Sequence, residues 1–83
     1  MTNTNKKLIS AKGIAAQAHV SYAAINHYTD MGLLDVVARQ NRVRMYDSAV
    51  ALERLMLISK LINEGYTLRV IAKILKEKAQ KTT

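Results

Sequence analysis

The chain has 83 residues, room for one small domain and too short to favour an enclosed enzyme pocket. Thirteen Lys and Arg against six Asp and Glu leave a net charge of +7, which points to a polyanionic partner, nucleic acid ahead of a membrane surface. Hydrophobic residues make up 49%, too many for a disordered basic tail, and the lack of cysteine excludes disulfides, zinc–thiolate sites and thiol sensing.

Further exclusions follow from the order of residues. No stretch approaches the roughly 20 apolar residues of a membrane span, and MTNTNKK lacks the apolar run of a secretory signal, so a cytoplasmic location is expected. The two histidines, His19 and His27, are too few for most metal cages, and no metal or cofactor is expected. No Ser/His/Asp set, carboxylate pair or phosphate-cradling glycine loop is present, so enzyme activity is not expected either. Proline is absent and glycine occurs three times, a composition suited to helices joined by short turns.

A flexible polar tail over residues 1–7 is expected to precede one domain over 8–78, followed by a flexible tail over 79–83. Ser10 is placed to cap a first helix carrying Ala11, Ile14, Ala15 and Ala18 at helical spacing. Gly13 inside it costs up to ~1 kcal/mol relative to alanine, so this helix must lean on tertiary packing. His19-Val20 break the run, and Ser21 caps a second short helix with Ile25 and Tyr28 inward and Gly32 as its left-handed terminator. Two short helices across a tight turn form a helix-turn-helix pattern.

Val36–Tyr46 alternate with period two around Gln40-Asn41, predicting a two-stranded ribbon, or wing, with Val43 and Met45 on one face and Arg42, Arg44 and Tyr46 on the other. Arg39, Arg42 and Arg44 stand here with no acid in the segment, so they repel one another unless a polyanion is present. Asp47 or Ser48 caps a long helix to about Glu64, stopped at Gly65. Its Leu52, Leu55, Met56, Ile58, Leu61 and Ile62 predict a buried central element. Thr67 caps a last helix with Leu68, Ile71 and Leu75 inward and Arg69, Lys73 and Lys76 outward, and Tyr66 is expected to pack beneath it. The fold class is therefore mainly α with a small β-hairpin, a winged helix-turn-helix.

This order of elements resembles the DNA-binding domain of MerR-family transcription regulators. The resemblance is carried by Ala15, Val20-Ser21, Ile25-x-x-Tyr28, Met31-Gly32-Leu33-Leu34, Arg39, Arg44-x-Tyr46, Leu55-x-x-Ile58 and Gly65-Tyr66-Thr67-Leu68-x-x-Ile71, over about residues 9–76. The chain departs from the family pattern in having Asn26 where an arginine is usual, His19 for the turn glycine and Arg42 for the wing glycine. Its wing is also one residue shorter and the stretch from Tyr46 to Leu55 one longer.

The resemblance implies sequence-specific binding of double-stranded DNA, with the second helix in the major groove and the arginine-rich wing on the phosphate backbone. Tyr22, Ala23, Asn26 and His27 would then lie near the bases, Asn26 able to pair bidentately with adenine. Ser21 and the neighbouring helix amides would hold a phosphate, as would Tyr28. Arg39, Arg42 and Arg44 would straddle phosphates and the adjacent minor groove. Tyr46 would anchor the ribbon to the core with its hydroxyl available to a phosphate, and Lys60 is either a backbone contact or a plain surface lysine. Two alternatives stay open: an interaction module whose basic face docks an acidic, DNA-mimicking protein, and an excisionase-like architectural DNA-binding protein. The family's long dimerisation helix has no counterpart in these residues, so dimerisation by that route is not assumed and stays open for a longer chain.

Overall fold

The computed structural model describes residues 7–81, with side chains described to residue 77. Strand β1 (Leu8–Ser10) leads into helices α1 (Ala11–Ala18) and α2 (Tyr22–Asp30). Strands β2 (Ala38–Gln40) and β3 (Val43–Asp47) follow, then helices α3 (Ser48–Asn63) and α4 (Leu68–Lys81). The architecture is the mainly helical winged helix-turn-helix expected, and among the described residues no helix is long and apolar enough to cross a membrane. Of the expected N-terminal tail only Lys7 is described, and its carbonyl accepts a hydrogen bond from the Ser48 N–H at 2.9 Å. At the other end α4 continues past residue 78 to Lys81.

Side-chain caps set the helix starts. The Ser10, Ser21, Asp47 and Thr67 oxygens accept from the N–H groups of Gly13, Ala24, Val50 and Val70, each three residues on, as an N-cap requires. Helix ends are equally local. After α2 and α3, Gly32 (φ 83°) and Gly65 (φ 101°) take the left-handed conformation. The following N–H groups of Leu33 and Tyr66 turn back to the carbonyls of Tyr28 and Leu61, closing a Schellman motif at each end. His19 ends α1 in the same region (φ 59°) without glycine's freedom, and its N–H reaches the Ala15 carbonyl.

The sheet departs from expectation in three ways. It has three strands in the order β1-β3-β2, because Leu8–Ser10 adds antiparallel to the far edge of β3 with Ile9 opposite Tyr46. The hairpin turn is Asn41-Arg42 rather than Gln40-Asn41: both residues have positive φ (52° and 69°), the requirement of a two-residue type I′ turn, and Gln40 pairs with Val43. Arg42 therefore sits at the tip and not on a strand face. The face that turns toward the helices carries Arg44 and Tyr46, while Val43 is exposed.

The core gathers Ala11, Ile14 and Ala15 of α1, Ile25 of α2, Leu33 and Leu34 after it, Tyr46 of β3, Ala51, Leu55 and Ile58 of α3, and Ile71 and Leu75 of α4. Helix α3 is not buried all round. Met56 is 73% exposed because it lies off the Ala51–Leu55–Ile58 side that the core covers, spaced at three and four residues. Ile62 continues that side but is exposed at the last turn of the helix. Tyr66, just beyond Gly65, is exposed rather than packed beneath α4. Arg54 is half-buried and donates to the Leu33 carbonyl at 3.0 Å, tying α3 to the segment after α2.

Candidate nucleic-acid interface

Helix α2 sends Ile25 into the core, and with about 100° per residue this leaves Tyr22, Asn26, Asp30, Ala23 and His27 on a contiguous outer arc of about 140°. Beside it stands the wing. The two are joined by a buried link: the Tyr46 hydroxyl lies 2.7 Å from Thr29 Oγ1, which itself donates to the Ile25 carbonyl at 2.8 Å. Thr29 has a single hydroxyl proton, already used on Ile25, so Tyr46 is the donor and Thr29 the acceptor. Thus β3 is fastened to the outer helix of the helix-turn-helix through a residue with 0% exposure.

Between α2 and the wing lies an open cleft of about 760 Å³ lined by Lys12, Tyr22, Asn26, Asp30, Arg39, Arg42 and Arg44, among others. The arginines meet there by register. Arg39 and Arg44 are directly opposed across β2 and β3, so their side chains leave the same face, with Cβ atoms roughly 5 Å apart in such a pair. Like charges opposed in this way repel. One carboxylate answers them: Asp30 lies 3.6 Å from Arg44, with the two side chains 68% and 32% exposed. The arginine cluster is therefore not free of acid, as the wing segment alone suggested; the acid comes from the end of α2. Lys12 adds a fourth cation, its ammonium 5.8 Å from the centre of the Tyr22 ring, within cation–π range.

Five of the expected contact residues, Tyr22, Asn26, Arg39, Arg42 and Arg44, thus share one cleft. Ser21, Ala23 and His27 are exposed at the start and on the outer flank of α2, and the Ser21 hydroxyl accepts the Ala24 N–H at 3.0 Å. Tyr28 is half-buried against the core, its ring 6.3 Å from that of His27. One expectation is corrected. Tyr46 cannot offer its hydroxyl to a phosphate, because it is wholly buried and its proton is engaged by Thr29. Lys60 is exposed on α3, as either of its two expected roles requires, along a separate groove with Gln17, Val20, Leu52 and Met56.

Sequence reasoning missed Lys12 and Asp30. Asp30 could have been found from its spacing, four and eight residues beyond Asn26 and Tyr22 on one helix face. Lys12 carried no comparable signal. Among the described residues no group of three or more His, Cys, Asp or Glu could hold a metal ion. Residues 9–78 match the family model described as MerR HTH family regulatory protein. No curated protein and no solved structure matches the chain.

Proposed function

The chain belongs to the MerR HTH family of regulatory proteins, a DNA-binding regulatory domain, and from that premise we propose that it binds double-stranded DNA sequence-specifically through the α2–wing cleft. In this reading α2 enters the major groove. Tyr22, Ala23, Asn26 and His27 approach base edges, where the Asn26 carboxamide has the paired donor and acceptor that adenine requires. Ser21, the unpaired amides at the start of α2 and the Tyr28 hydroxyl hold phosphates on one side. Arg39, Arg42 and Arg44 grip the backbone on the other and reach toward the neighbouring minor groove. Phosphate contacts set position, and the few base contacts supply the selectivity.

The observation that carries this reading is the convergence of four cations, one from α1 and three from the wing, beside the exposed arc of α2, with a single carboxylate among them. Cations gathered this closely repel in the free protein and gain when a polyanion displaces counterions. Titration of a duplex at several salt concentrations is the test. Neutralising six phosphates gives a slope of roughly −5 in log affinity against log salt. An Arg39/Arg42/Arg44→Ala variant should lower that slope by roughly 2–3, according to whether the arginines share a phosphate, and weaken binding to all duplexes alike. A salt-independent affinity, or full affinity in the triple variant, contradicts the reading.

A further inference from the structure

We propose that Arg39 and Arg44 act together as a two-pronged clamp for a single DNA phosphate, and that Asp30 occupies this clamp in the free protein as a built-in competitor for it. The inference rests on the DNA-binding reading above and assigns a role to the one acidic residue of the cleft.

Register supplies the clamp. Arg39 and Arg44 face each other across β2 and β3, project from the same side of the ribbon and line one cleft, so both flexible side chains are within reach of one anion. Without an anion that pairing is unfavourable. The Asp30 carboxylate, brought up by the last residue of α2, stands 3.6 Å from Arg44 and supplies the missing negative charge. The contact is long and Asp30 is 68% exposed, so the carboxylate is held weakly and can be displaced. A recognition helix reads bases mainly from its N-terminal part, and Asp30 is at the other end, beside the wing. Its place among three arginines is where a phosphate would lie. Asp30 therefore stabilises the empty wing and opposes its occupation, so non-specific contact with DNA gains less than the positive charge of the cleft would give.

The experiment compares Asp30→Asn, Arg44→Gln and the double variant with the parent chain, using random-sequence duplex, with melting curves for each. The parent must first show salt-dependent binding; a slope near zero overturns the DNA reading and this proposal with it. Given that slope, Asp30→Asn is expected to steepen it by about 0.9, which over the decade from 1 M to 0.1 M salt is at most about eightfold tighter binding. The same variant melts at a lower temperature, because the opposed arginines lose their counter-charge. In the Arg44→Gln background the gain in log affinity falls to less than about half. Weaker binding by Asp30→Asn would mean that the carboxylate orients Arg44 for DNA. Unchanged binding would mean that the ion pair is inert, and an equal gain in both backgrounds would mean a general charge effect. Each of these outcomes overturns the proposal.

Discussion

Tyr46→Phe isolates the link between the wing and the outer helix of the helix-turn-helix. The ring is wholly buried and the phenylalanine fills the same space, so only the hydroxyl is lost. That hydroxyl donates to Thr29 Oγ1 at 2.7 Å, while Thr29 keeps its own bond to the Ile25 carbonyl at 2.8 Å. No buried donor is left stranded, and the cost is that of one hydrogen bond, about 1 kcal/mol. In a domain of this size that lowers the melting temperature by roughly 4–8 °C. Urea denaturation followed by circular dichroism should show the midpoint falling with an unchanged m-value. Duplex affinity at a temperature where both proteins are folded should change by less than about twofold, because the removed atom does not face DNA. A variant of unaltered stability with several-fold weaker binding would place the hydroxyl on a phosphate and refute the buried link.

Gly13→Ala should destabilise despite alanine's helix propensity: the gain of ~1 kcal/mol is opposed by a Cβ only 2.7 Å from Ile9 Cγ1, an overpacking cost of typically 1–3 kcal/mol. A higher denaturation midpoint would show that Ile9 withdraws freely. Arg42→Gly should move stability and binding in opposite directions. Relief of the left-handed conformation at φ 69° stabilises by about 1 kcal/mol, while loss of one phosphate contact lowers the salt slope by about 0.9. A lower melting temperature in that variant, or an unchanged slope, would contradict the turn geometry or the contact respectively.

The parts of the fold legible in the sequence are those whose physical cause is short in range. Ser10, Ser21, Asp47 and Thr67 each bond an amide three residues away, so the cap and its target lie in one reading window. The same holds for Gly32 and Gly65 at the helix ends. What escaped depends on partners distant in sequence. Leu8–Ser10 is too short to show alternation, and it becomes a strand only because β3 offers an edge. The turn was displaced by one residue because an arginine in a left-handed conformation gives no sequence signal. Parity put Tyr46 and Arg44 on one face of the ribbon but could not say that this face turns toward α2, where one meets Thr29 and the other Asp30. Helix α3 is apolar on several sides, and its sequence does not tell Leu55, which the core covers, from Met56, which it leaves bare.

The cleft and its support differ in how well their interactions are satisfied. Beneath the cleft the buried hydroxyl of Tyr46 is paired, and Ile9 fits the space that Gly13 leaves open. On its surface, two arginines are opposed in register and a third holds a glycine-like conformation at the hairpin tip. An isolated two-stranded ribbon could not sustain this, since it is marginal in water even without charge repulsion. Strand β1 changes the balance by making β3 central and rooting it beside α1. The aim of the arginines therefore depends on contacts well away from any phosphate, and a substitution at Gly13 should disturb the wing through Ile9 and Tyr46. Conversely, the easily improved positions, Arg42 above all, lie on the wing, where the proposed phosphate contacts would offset the unfavourable energy. Substitutions selected for stability alone should therefore strip the wing of its charge before they touch the core.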